Sequence, residues 1–271
     1  MLIDFHTHAF SDQIAKRAME ILKETAEAAE GSEAVCYTDG TVSDLRKKLS
    51  EWGVSYGVML PIATKPSQQR TINDWAASEN KGNIISFGTV HPDAPDAAEE
   101  LGRIKEAGLK GIKLHPDYQT VFLFEERMKI IYKRCEELGL SIVLHMGYDP
   151  ISPIIRHAMP SHLPDITAAF PKLKIIAAHF GGMYAWEEVL HYVAGVHRKN
   201  IWLDTSYIAG YINPKLMLEI VKKHGADRIL FASDCPWHMP LSEKELVESL
   251  PVTEKEKELI FYKNAAEILE L

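Results

Sequence analysis

Eight short runs rich in Ile, Val, Leu and Ala recur along the chain, and between them lie longer segments whose apolar residues return every three or four positions. A brief apolar run bounded by turn residues reads as a buried strand, and the three-to-four spacing reads as an amphipathic helix. Strands are expected over 2–8, 55–61, 84–91, 111–115, 141–145, 174–179, 201–204 and 228–234. Helices are expected over 13–30, 42–51, 68–81, 94–107, 125–138, 163–170, 185–197, 214–224, 242–249 and 253–269. Two of these helices fall between the first and second strands, so that connection is longer than a minimal crossover. Within 125–138, Met128, Ile131, Cys135 and Leu138 form one stripe and belong to a core face rather than a binding face.

Punctuation supports this division. Gly108, Gly139 and Gly225 follow helices, where a left-handed residue ends the last turn. Asn213-Pro214 and Ser242 mark helix starts. Strands alternating with helices imply parallel pairing and right-handed crossovers. Eight such units close into an α/β (β/α)8 barrel occupying 1–271 as a single domain. A doubly wound open sheet is the alternative, with its chemistry at one switch point. Polar residues closing five different strands favour the barrel.

Composition narrows the partners. With 46% hydrophobic and 25% charged residues in 271, the chain reads as an ordinary globular protein. A formal net charge of −8 argues against nucleic acid or an anionic membrane as the main partner. Basic residues cluster no further than pairs such as Lys47-Lys48, and no apolar run reaches membrane-spanning length. No positive segment followed by an apolar stretch marks a secretory signal. The three cysteines, Cys36, Cys135 and Cys235, form neither a CxxC nor an even framework, which fits a reduced cytoplasm. The partners expected are a small-molecule substrate and, as an open alternative to the monomer, a second copy in a homodimer.

The chemistry begins in the first strand, Asp4-Phe5-His6-Thr7-His8. Alternation points His6 and His8 the same way, roughly 6.5–7 Å apart along the strand. Two such imidazoles can reach one ion at about 2.0–2.1 Å. Other predicted strands end on His115, His145, His179 and Asp234, each interrupting an apolar run close to Gly or Pro. Strand ends in a barrel meet at one mouth. Three imidazoles and a carboxylate suit one divalent ion, Zn2+ foremost, with a position left for water whose pKa falls to about 7. Asp234 is then the candidate proton acceptor, and His179 the group that orients the water or stabilises an oxyanion. Each residue also has a plain reading as a hydrogen-bonded strand end; their joint occurrence is what points to catalysis.

Around this set, Lys113 and His115 share a face and are candidates to hold an anionic substrate group, an internal salt bridge being the alternative for Lys113. Trp237 and His238 belong to the last mouth loop and would shape the pocket. Asp4 and Asp204 either support a histidine ring or cap a strand. His91 reads as a turn residue. Cys235 is a packing residue or a reactive thiol. No chemistry is assigned to His157, His162, His191, His197 or His224.

His6-x-His8, His145, His179 and Ser233-Asp234-x-Pro236, with Gly111-Ile-Lys-Leu-His-Pro116 and His179-Phe-Gly-Gly182, resemble the amidohydrolase superfamily in its amidohydrolase-related branch. The resemblance runs from residue 2 to about 267. It implies a metallo-dependent hydrolase barrel, metal ligation by His6, His8, His145 and Asp234, and His179 beside the metal-bound water. Binuclear relatives bridge two ions with a carboxylated lysine at the position of Lys113, and His179 would then bind the second ion. The first expectation is therefore a metal-dependent hydrolase of an amide, ester or lactone of a small carboxylated molecule. A metal-dependent non-oxidative decarboxylase of a small carboxylic acid is the alternative, and a structural metal site the third class.

Overall fold

A computed structural model of the chain describes residues 1–196 and 198–271. Eight parallel strands appear in the expected order: β1 Ile3–Thr7, β2 Tyr56–Met59, β3 Ile84–Ser86, β4 Gly111–Leu114, β5 Ser141–Leu144, β6 Ile175–Ala177, β7 Ile201–Asp204 and β8 Ile229–Leu230. Regular ladders join β1-β2-β3 and β4-β5-β6-β7-β8. Both gaps are bridged by backbone hydrogen bonds. Gly88 N donates to Gly111 O and Lys113 N to Gly88 O, while Phe5 N donates to Phe231 O and Asp234 N to His6 O. The ring of strands is thus closed, as a (β/α)8 barrel requires.

Alternate residues along the strands divide between two apolar clusters. Ile112, Leu114, Ile142, Leu144, Ile175 and Ile201 pack with helix residues such as Leu101, Met128 and Ile220. Val143, Ile176, Trp202 and Leu230 pack with one another in the barrel interior, together with Ile268 and Leu269 of the last helix. This two-residue period is the strand geometry itself. Lys113 is paired in register with Val143, and Val143 with Ile176, so a lysine occupies an interior position that its neighbours fill with apolar side chains.

β1 departs from the expected alternation. Ile3 and Phe5 belong to the interior cluster, which would send His6 outward. The register against β2 shifts between Asp4 and Thr7, and this irregularity turns His6 back toward the mouth. Asp4 consequently does not face the histidines. Its carboxylate accepts from Ser233 N at 2.9 Å and Ser233 Oγ at 2.5 Å, capping the end of β8.

Several elements are shorter than the pattern suggests. β8 spans two residues rather than 228–234: Phe231 N donates to the Ile260 carbonyl, Ala232 N to Thr205 Oγ1 and Ser233 N to Asp4, and Asp234 enters the left-handed region at φ 71°. A four-residue helix, Pro116–Gln119, follows β4 and was not anticipated. The expected helix over 185–197 is a turn at Trp186–Glu188 followed by a wider turn at Val189–Val193. Its last residue, His197, lies outside the described residues, as does the reading that it carries no chemistry. Thr253 caps its helix reciprocally with Glu256, and Asn213 accepts from Lys215 N. Gly147 follows β5 at φ 89°, where a Cβ would lie 2.2 Å from Met183 N. Only glycine allows the β5 and β6 loops to approach this closely. No helix among the described residues is long and apolar enough to cross a membrane.

Candidate metal centre

His6 Nδ1 donates to Asp204 Oδ2 at 2.9 Å, and His8 Nδ1 donates to the Leu60 carbonyl at 2.8 Å. Each bond fixes a tautomer, so the Nε2 of each ring carries a lone pair. Those two nitrogens lie 3.1 Å apart. Asp234 Oδ1 is 3.4 Å from His6 Nε2 and 3.1 Å from His8 Nε2. Three acceptors facing one another at such distances repel unless a cation lies among them. An ion about 2.0–2.1 Å from each ligand produces ligand–ligand edges of about 3–3.4 Å. The triad therefore fits a divalent ion.

The electrostatics agree. Burial holds the His6 imidazole well below its ordinary value, with Lys113 adding to the effect, so the ring is neutral and able to ligate. Burial opposes ionisation of Asp234, but His6 and His8 outweigh it and hold the carboxyl well below the usual range. Lys113 Nζ lies 3.1 Å from His6 Nε2. Burial lowers its ammonium to about 8, against the pull of Asp234, Asp204 and Asp149.

The ligand set expected from the sequence divides in two. Among the described residues, His6, His8 and Asp234 form one group of converging ligand atoms, and His145 falls in a second group with His115 and Asp149. His145 Nδ1 meets His179 Nε2 at 3.0 Å. His145 Nε2 has no hydrogen-bond partner and lies 3.7 Å from Asp149 Oδ2 and 4.0 Å from Asp117 Oδ2. The rings of His115 and His145 stack at 4.0 Å with an interplanar angle of 16°. In-plane lone pairs on parallel rings do not converge on one ion, so the second group is not a ready metal centre. His115 Nε2 is instead 3.3 Å from Asp149 Oδ2, and its Nδ1 accepts from Tyr118 N.

His179 has both ring nitrogens engaged, Nδ1 with the Ser206 carbonyl at 3.1 Å and Nε2 with His145. Its backbone sits at φ 56°, a conformation non-glycine residues seldom adopt. Asp204 Oδ1 and Ser206 Oγ hold it there by accepting from His179 N. Asp204 thus orients one histidine by its ring and another by its backbone. Asp117 pairs with His157 Nδ1 at 2.8 Å, giving that histidine a partner the sequence did not suggest. His91 Nδ1 accepts from Asp93 N, as a turn residue should. Cys235 is fully buried and burial pushes its thiol well up, which removes the reactive-thiol reading.

The triad opens into a cavity of about 820 Å³. Lys113, His115, His145, His179, Trp237 and His238 all reach it, alongside His6, His8 and Asp234. Its walls also carry Trp75, Tyr118, Tyr148, Tyr184, Tyr207 and Tyr211. Sequence reasoning missed Asp149 and most of these tyrosines, which lie on loops without periodic signal.

An amidohydrolase family model matches residues 3–271. The chain belongs to the amidohydrolase family. The 5-carboxyvanillate decarboxylase of Sphingomonas paucimobilis superposes on this amidohydrolase with a TM-score of 0.73 at 16% identity, covering 100% of this chain and 99% of that one. A dihydroxybenzoic acid decarboxylase from a Polaromonas species, solved with bound manganese and the inhibitor 2-nitroresorcinol, gives 0.73 at 17% identity, with 100% and 97% covered. An uncharacterized TIM-barrel protein from Bordetella bronchiseptica gives 0.75 at 17%, with 99% and 98% covered. At these identities the likeness establishes the barrel fold. The comparison with curated proteins gives no match.

Proposed function

We propose that this amidohydrolase is a metal-dependent decarboxylase of a small aromatic carboxylic acid, with residues 1–271 acting as one barrel domain. The observation that carries the reading is the cavity itself: aromatic residues in its walls, and a buried ammonium, Lys113, beside the His6–His8–Asp234 triad. Flat rings accept a flat substrate, and a cation at the floor accepts its carboxylate. The decarboxylases of similar fold, one of them solved with manganese, add support.

His6, His8 and Asp234 would hold the ion, and His145, the fourth candidate, would reach it only by turning its Nε2 away from Asp149 and Asp117. Zinc and manganese both suit two imidazoles and a carboxylate. When bound, the ion would supply positive charge to the substrate carboxylate and an adjoining oxygen. Lys113 would offset the carboxylate charge from the barrel floor. The aromatic walls would hold the ring and exclude water. A proton drawn from solvent and guided by the Asp234 carboxylate would take the place of CO2 on the ring carbon, so that a carboxylate and a proton yield the arene and CO2. His145 Nδ1 occupies His179 Nε2, which disfavours His179 as a base for water. On this reading His179 braces the site from beside it.

The test is incubation of manganese- or zinc-loaded protein in D2O with a panel of hydroxybenzoates and, separately, of aromatic esters, lactones and amides. The expected result is CO2 release with one deuterium at the vacated carbon. Cleaved or ring-opened acids without CO2 would return the protein to hydrolysis, the first expectation from its sequence.

A further inference from the structure

Glu243 is fully buried in the helix Pro240–Ser249, and the metal chemistry makes no use of it. Its Oε1 accepts from Ile208 N at 2.8 Å and Ala209 N at 3.0 Å, and Oε2 lies 3.2 Å from the same Ala209 amide. Oε1 also stands 2.9 Å from His238 Nδ1. That last approach is bent, an ion-pair contact rather than a straight hydrogen bond. The three partners come from two loops, one after β7 and one after β8. A single carboxylate ties those loops together at the cavity mouth.

Each tied loop presents a ring to the cavity. Tyr207 precedes the two captured amides and stands at φ 58°, a conformation tyrosine seldom takes. Capture of Ile208 N and Ala209 N is what holds the backbone in that turn. Tyr207 stacks on Tyr211 at 5.4 Å with an interplanar angle of 16°, and the His238 ring lies 5.0 Å from Tyr207. Glu243 against Nδ1 turns that edge of His238 inward and leaves the rest of the ring to line the cavity. Burial raises the Glu243 carboxyl to about 7, and His238 with the Ala209 and Ile208 amides restrains the rise. The carboxylate form therefore depends on these same partners.

We propose that His238, positioned by Glu243, binds a second oxygen anion of the substrate, a carboxylate or phenolate on the ring that Tyr207 covers. This inference rests on the aromatic-acid reading above and narrows its substrate to an aromatic diacid or hydroxy acid. Lys113 serves the carboxylate at the floor, and His238 serves the second group at the mouth.

Calorimetric titration of manganese-loaded protein with isophthalate and with benzoate tests this without requiring turnover. Wild type should bind isophthalate at least tenfold more tightly than benzoate. His238→Ala should lose that tenfold and bind benzoate within twofold of wild type. Glu243→Gln keeps an oxygen for the two amides but removes the charge, and should show the same diacid-selective loss. Equal binding of the two acids by wild type, or equal losses for both in either variant, would overturn the proposal. Manganese content measured on each sample separates this from loss of the metal. Failure to release CO2 from any hydroxybenzoate, with the selectivity intact, would count against the decarboxylase reading alone.

Discussion

Asp204 and His6 are separated by 198 residues, yet Asp204 Oδ2 accepts from His6 Nδ1 at 2.9 Å deep in the barrel. This one bond decides which nitrogen of His6 faces the ion, and Asp204 Oδ1 simultaneously holds the strained backbone of His179. Replacing Asp204 with Asn leaves shape intact while permitting the wrong tautomer. Asp204→Asn should weaken metal affinity about 10–100-fold, as loss of an outer partner of a ligating histidine does. Competition with a chelating dye measures it, and a melting curve of the metal-free protein checks that the fold persists.

Lys113 places its ammonium 3.1 Å from His6 Nε2. Lys113→Met retains much of the volume and removes the charge. Metal content should be unchanged, because the ammonium repels a cation rather than binding it. The carboxylate of the substrate loses its partner, and kcat/KM should fall about a hundredfold, the order expected for one buried charge-assisted contact. Loss of metal in this variant, or a carboxylated lysine seen by mass spectrometry of the intact protein, would instead favour the bridged two-ion arrangement.

His179 and His8 should part company on metal binding. His8→Ala removes a member of the converging triad and should leave the purified protein with little metal. His179→Asn should keep its metal and lose turnover about 10–100-fold, through the misplacement of His145, whose Nδ1 its ring holds. Elemental analysis of the two variants side by side reads out the difference.

Stability should carry a pH signature from His224, far from the mouth. Its Nε2 donates to the Ile201 carbonyl at 3.1 Å, its Nδ1 accepts from Gly195 N, and burial lowers its pKa from 6.5 to about 4. The unfolded chain therefore binds a proton between about 6.5 and 4 that the folded chain refuses. Stability is lost as pH falls through that window, by about 3 kcal/mol in full. Asp4, raised to about 7 by burial, acts in the opposite direction, since the folded chain takes up its proton first. Urea unfolding of wild type and His224→Gln from pH 7 to 4.5 isolates the histidine: the wild type should lose more stability than the variant. Parallel slopes would contradict the assignment.

Much of the barrel was legible in the pattern of apolar runs. All eight strands and most helices fall where alternation and three-to-four spacing place them, because burial on one or both faces imposes those periods. The end of β8 and the inward turn of His6 were not legible. Both depend on Asp4 reaching Ser233 across 229 residues and on a register shift in β1, neither of which leaves a local pattern. His6, His8 and Asp234 were readable as a set since each closes a strand. His145 was readable as a strand end, but its engagement with His179 was not. Glu243 sits in the polar run Ser242-Glu-Lys-Glu245, which carries no apolar signal. Only the loop after β7, 34 residues away, shows why it is buried. Asp149 and Asp117 were hidden for the same reason: their partners are rings from other elements.

One divalent ion should sit among His6 Nε2, His8 Nε2 and Asp234 Oδ1. Anomalous diffraction from crystals of manganese-loaded protein tests it most directly. A single strong peak about 2.0–2.3 Å from those three atoms is the predicted result. A peak confined to the group of His115, His145 and Asp149, or no peak at the triad at full manganese loading, would contradict it.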